Sequence, residues 1–261
     1  MDRHDVEAYK QIKEDFDAVV DFCAYQKGDI QTVMRALEGR IHRYIFISTA
    51  NIHKRIGSTE VYKNELFPMD EHTSDYPPDF KGYVDGKIDL EKELVKEAEE
   101  REILYTSLRP GMIYGPYNYV PGRESWYFEN IIKNHQAIFL KNGTGYHQMV
   151  YVKDVANAIL TLCNQDWFSS CYNLCSNELM NYEKFAEILR KIVDVSYEEF
   201  WLNKEELDEY GISLPFAYCK EETELCTGDK IQIFDFSYTP HEEGLKRTYH
   251  VAKEKYKKYL R

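Results

Sequence analysis

Apolar positions along the 261-residue chain fall into two alternating textures. Short solid runs over 17–22 and 44–47 have the pattern of strands buried on both faces. Between them Ile30, Val33, Met34 and Leu37 recur at helical spacing, and Gly39 stands where a left-handed residue would close that helix. Strand, helix and strand in this order predict a βαβ unit. The spacing then predicts a helix over 85–101, with Leu90, Leu94, Val95 and Ala98 on one stripe, and a strand over 103–108.

Past Pro110 the pattern dissolves into glycine, proline, tyrosine and asparagine, through Gly111, Gly115, Pro116, Pro121 and Gly122. Such punctuation marks a long functional loop or a domain edge. Beyond it the pattern predicts a strand over 149–152, a helix N-capped by Asp154, a strand over 171–174 and a helix capped by Asn181. Thr239-Pro-His-Glu242 predicts a capping box with Pro at the first helical position, opening a basic helix that runs to Arg261. Its lysines suit the negative end of the helix dipole on a solvated face.

Composition narrows the classes. At 43% apolar content the chain can bury a full core, as one large domain or a domain with a smaller lobe. A formal charge of -12 weighs against nucleic-acid backbones and anionic membranes as partners, while a local pocket can still take a phosphorylated small molecule. The apolar runs fall far short of a bilayer span and Met1 to Asp5 do not open a secretory signal, so a cytoplasmic protein is expected. Six cysteines without tight metal-ligand spacing fit reduced thiols and no metal site.

The candidate chemistry begins with Tyr83 and Lys87, four apart and so on one helix face. An ammonium beside a phenol favours the phenolate, which can take a proton from an alcohol. The plain alternative is an exposed pair on a charged helix. Upstream, Phe46-Ile-Ser-Thr-Ala50 is a strand ending in two hydroxyl residues, where catalytic groups gather in open parallel sheets. Those hydroxyls also commonly satisfy loose backbone groups. Downstream, Leu108-Arg-Pro-Gly-Met-Ile-Tyr-Gly-Pro116 leaves room for a flat ring to approach the backbone.

In order and spacing these segments resemble an extended short-chain dehydrogenase/reductase of the NAD-dependent epimerase/dehydratase family, whose best-known members act on nucleotide sugars. The resemblance covers nearly the whole chain. It implies an α/β fold: an incomplete Rossmann-like parallel sheet over 1–160 and a smaller C-terminal α/β substrate lobe over 161–261, interleaved with the first. It makes Thr49, Tyr83 and Lys87 catalytic. It places Asp2 and Arg3 at the adenine of NAD or NADP, Phe22, Cys23 and Ala24 beside the ribose and nicotinamide, and Ser48, Tyr83, Lys87, Pro110 and Ile113 also at the cofactor. Arg123 and His147 are the substrate-side candidates, a small molecule such as a nucleotide sugar is the implied partner, and a homodimer is compatible with it. Gly143-x-Gly and Val150-Tyr-Val-Lys-Asp154 match the start of the substrate lobe. The alternative is a catalytically inactive scaffold that binds a nucleotide, a protein or RNA.

Three departures qualify this picture. The family opens with a glycine-rich turn whose amides hold the cofactor pyrophosphate at a helix N-terminus, and none of the 13 glycines here forms it. Weak dinucleotide binding is therefore expected. His147 stands where an arginine often clamps nucleotide phosphates. Ala50 and Asn51 follow Ser48-Thr49 where sugar dehydratases carry an acidic pair, which counts against dehydration.

Overall fold

The computed structural model describes residues 2–52, 78–118, 122–164, 169–222 and 225–259. Pro121, Met1 and Arg261 lie outside them. After a short helix, α1 (Val6–Lys10), the chain enters β1 (Val19–Asp21), α2 (Asp29–Ala36) and β2 (Arg43–Ile47). A long helix, α3 (Pro78–Glu100), leads to β3 (Leu104–Pro110) and β4 (Met112–Tyr114). There follow α4 (Glu124–Asn134), β5 (Gln136–Leu140), β6 (Met149–Tyr151), α5 (Val152–Cys163) and β7 (Ser170–Leu174). The last elements are α6 (Tyr182–Ile192), β8 (Glu198–Leu202), α7 (Lys204–Glu209) and α8 (His241–Lys255).

β1, β2, β3 and β7 form one parallel sheet in that order. Every residue of β2 is buried, as a central strand covered on both faces requires. Tyr44 and Phe46 pack against Ile30 and Val33 of α2 and Leu90 and Leu94 of α3. Ile45 and Ile47 face the other way, into Val155, Ala158 and Leu162 of α5. The period of two along β2 thus builds the two core layers.

A second core gathers α4, α6 and α8 around Tyr127, Phe128, Phe139, Phe185 and Leu189. Two small parallel pairs, β4 with β6 and β5 with β8, lie outside the main sheet. α4 and β5 join this core although they precede residue 160, and β7 returns to the main sheet after it. Among the described residues no helix is long and apolar enough to cross a membrane.

Three local expectations are corrected. Gly39 does not cap α2, whose C-cap is Leu37 in extended backbone. Its glycine is needed because a Cβ there would lie 1.8 Å from the Glu14 carbonyl oxygen. Asp154 sits inside the first turn of α5, with Tyr151 as N-cap, and its two oxygens accept from the Thr239 N–H at 2.8 Å and hydroxyl at 2.7 Å. Thr239 is thereby occupied, and α8 starts from Pro240 with no side-chain cap. Asn181 does cap α6, accepting from the Lys184 N–H at 2.8 Å.

Candidate active site

The carboxyl ends of all four sheet strands open on one cavity, the place where open parallel sheets hold ligands. Lys87, on α3, reaches across it and is 3% exposed. Its Nζ donates to the carbonyls of Ala24, just past β1, and Ile47, at the end of β2, each at 2.9 Å. The rings of Tyr25 and Phe46 wall the ammonium at 4.5 and 4.7 Å. An ammonium has three hydrogens, and these carbonyls take two of them. Burial, only partly opposed by the Asp21 carboxylate, pulls its pKa down to about 8.

Tyr83 lies one turn earlier, its ring centroid 5.9 Å from Lys87 Nζ. Burial raises its phenol above the ordinary value, while the nearby Thr49 hydroxyl and the charge of Arg123 pull the other way. The sequence-based expectation of a phenol drawn toward neutrality by Lys87 is therefore not met. Desolvation outweighs an ammonium that is turned toward two carbonyls. Thr49 also donates to Asn51 Oδ1 at 2.8 Å, which fixes its hydroxyl. Its neighbour Ser48 is 3% exposed, and its Oγ has no hydrogen-bond partner among the described residues.

Pro110, Gly111, Met112 and Ile113 form the facing wall. A Cβ on Gly111 would approach Cys175 Sγ and the Gln148 carbonyl oxygen to 3.1 Å, so the backbone there is in close contact with the floor. The Arg123 guanidinium donates to the Ile113 carbonyl at 3.1 Å, and burial lowers its pKa. His147 stacks on Phe216 at 3.9 Å between ring centroids and 13° between planes. Burial drives its imidazole down to about 3, so it is neutral at physiological pH, and neither ring nitrogen has a hydrogen-bond partner among the described residues. Buried polar atoms are rarely left unsatisfied in native proteins. Ser48 and His147 both line the cavity. Its volume is about 830 Å³, within the range of small-molecule sites.

Of the residues singled out from sequence, Thr49, Tyr83, Lys87, Phe22, Ser48, Pro110, Ile113, Arg123 and His147 line this cavity together. Ala24 contributes its carbonyl from behind. Asp2, Arg3 and Cys23 stand apart from the wall. Asp2 accepts from the His4 N–H at 2.9 Å. Arg3 holds both oxygens of Asp21 at 3.1 Å, and Cys23 is exposed. Sequence reasoning missed Tyr25, Gln148 and Phe216. With 22 tyrosines and 13 phenylalanines in the chain, no local signal distinguishes a ring in the cavity from a ring in the core. Asn51, two residues after Thr49, was within reach of the same strand-end argument.

The profile of the NAD dependent epimerase/dehydratase family matches residues 1–175. A chloroplast stem-loop binding protein of 41 kDa from Arabidopsis thaliana is 26% identical over 179 residues, which are 68% of this chain. The chain spans 43% of the length of that curated relative. A UDP-glucuronic acid 4-epimerase from Bacillus cereus, solved with UDP-glucuronic acid and NAD, superposes with a TM-score of 0.67 at 17% identity. That match covers 97% of this chain and 80% of the other. A UDP-glucose 4-epimerase from Thermotoga maritima, solved with UDP-glucose, gives 0.69 at 18% identity, covering 98% and 84%. At such identities the superpositions establish the α/β fold, and the profile match establishes the lineage. The chain belongs to the NAD-dependent epimerase/dehydratase family.

Proposed function

We propose that this chain carries the proton-transfer machinery of an NAD(P)-dependent epimerase or related oxidoreductase acting on a nucleotide sugar. One observation carries the reading: Lys87, buried on two strand-end carbonyls, stands beside Tyr83, and the two line one cavity with Ser48 and Thr49. Burying an ammonium is costly, and Lys87 is buried at the cavity wall. A nicotinamide dinucleotide, when bound, supplies the hydride acceptor. The residues present fit its nicotinamide-ribose end, where the Lys87 ammonium and the buried Ser48 hydroxyl line the cavity.

In this reading Tyr83 Oη, as a phenolate stabilised by the Lys87 ammonium, takes the proton of a sugar hydroxyl and becomes neutral, and Thr49 orients the reacting oxygen. The neutral His147 offers one donor and one acceptor to uncharged polar groups of the substrate, with Arg123 as the nearby cation. Bacillus cereus and Thermotoga maritima epimerases of the same fold were solved with UDP-sugars, which supports testing that class first. With cofactor raised until the rate saturates, Tyr83→Phe is expected to lower kcat by about 10²- to 10⁴-fold, the usual worth of a positioned acid-base group. An unchanged kcat would reject the assignment.

A second reading, a binding scaffold without turnover, is favoured by the similarity to the chloroplast stem-loop binding protein. The charge of -12 opposes an RNA partner. Titration with a stem-loop RNA separates the two: saturable, steeply salt-dependent binding would favour the scaffold.

A further inference from the structure

All six cysteines lie among the described residues, and two of them meet on the cavity floor. The Cys226 thiol donates to Cys175 Sγ at 3.2 Å, across 51 positions of sequence. Cys175 directly follows β7, and Cys226 comes from the segment between α7 and α8. Both are closed to bulk solvent, at 1% and 2% exposure, yet both border the cavity. Neither has a part in the proton-transfer scheme.

Their approach is built in. Gln148 Nε2 donates to the carbonyls of Ser176 and Cys226 at 3.0 and 2.9 Å, and its Oε1 accepts from the Cys226 N–H at 2.8 Å. One side chain therefore clamps the backbone at Cys226 to the backbone beside Cys175. Two thiols held in contact react as an intramolecular pair, with most of the entropic cost of their meeting already met by the fold. A movement of about 1 Å brings the sulfurs to bonding distance. The pair also touches the working parts of the site: Ala50, next to Thr49, packs with both cysteines, and Cys175 Sγ lies against Gly111.

We propose that Cys175 and Cys226 are a modification site, a dithiol that a small peroxide entering the cavity converts to a disulfide. The first sulfur, as thiolate, attacks the peroxide oxygen, breaking the O–O bond, releasing one water and becoming a sulfenic acid. The second sulfur then displaces the hydroxyl, the S–S bond forms and a second water leaves. Two sulfurs are oxidised by two electrons in total, and one peroxide is reduced to two waters. The resulting bridge ties the Cys226 segment to the end of β7 directly beneath Thr49 and Gly111.

The test is covalent and independent of the proposed reaction. The full chain is treated with hydrogen peroxide, unfolded, alkylated and mapped by mass spectrometry, with reduced protein as the control. The expected result is a mass loss of about 2 Da, a fall of two in alkylatable thiols from the six in the sequence, and one linked peptide pair containing Cys175 and Cys226, reversed by a dithiol reductant. In Cys226→Ser, Cys175 stops at the sulfenic acid, trapped by a 1,3-diketone. Retention of all six alkylatable thiols after peroxide, or a bridge between other cysteines, would overturn the proposal. Should Cys226→Ser not fold, the map of the unsubstituted chain decides alone.

Discussion

Lys87 and His147 are both titratable, both buried, and both held away from their ordinary pKa by desolvation, with different consequences. The Lys87 ammonium titrates at about 8, so any step needing its charge weakens as pH rises through that value. A plot of kcat/KM for the cofactor, which reports the free protein, is expected to fall above about pH 8, and a limb that stays flat to pH 10 would contradict the assignment. His147 prefers to be neutral in the fold and charged in the unfolded chain at mildly acid pH. A group with a depressed folded pKa stabilises above its unfolded value and loses that contribution as pH falls toward its folded one. Stability should therefore decline as pH drops from 6.5 toward about 3, and His147→Gln should flatten that decline in acid melting curves. If His147 also binds the sugar, His147→Ala raises KM on the order of tenfold, the worth of one hydrogen bond. These roles were only half legible. The Tyr-x-x-x-Lys spacing predicted which residues meet, whereas the sign of the Tyr83 shift depended on burial that no spacing encodes.

At the scale of elements, the alternation in β2 and the stripe on α3 were legible because each is repetitive and local. The caps were less so. Asp154 and Thr239 each have good capping chemistry, but 85 positions apart in sequence they bind one another, and that long-range bond outcompetes both local motifs. Gly39 was noticed for the wrong reason, since the close approach of Glu14 is tertiary. Gly39→Ala should lower stability by about 1–3 kcal/mol, as overpacking against backbone does, and chemical denaturation measures it. A melt unchanged from the parent would show that the segments separate freely. The α3–β3 layer holds another hidden feature. Arg109 of β3, which belongs to the glycine- and proline-containing stretch from Leu108 to Pro116, turns into the core and pairs with Glu91 through Nε at 2.9 Å and Nη2 at 2.6 Å, both residues fully buried. Ser107 completes the cluster by donating to Glu91 at 2.6 Å. Glu91→Ala leaves a buried guanidinium uncompensated and should cost about 3–5 kcal/mol.

Over the whole molecule, the four-stranded parallel sheet gathers residues 24, 47–49, 87, 110–113 and 175 at one end, though they are scattered through the chain. The second core adds Phe216, while His147 and Gln148 come from the segment just before β6. Family membership was readable because the motifs occur in a fixed order. Substrate identity was not, because it rests on side chains such as His147 and Phe216 whose meeting is a property of the assembled fold. The central claim is that this cavity passes a hydride between a sugar carbon and a nicotinamide under the control of Tyr83. The most direct measurement is transfer of deuterium from a UDP-sugar, labelled at the carbon to be oxidised, to NAD in a single turnover, followed by mass spectrometry of the cofactor. Label is expected on the nicotinamide with the unsubstituted chain and not with Tyr83→Phe under the same saturating conditions. Equal transfer by both proteins, or saturable binding of both ligands with no transfer at all, would contradict the account.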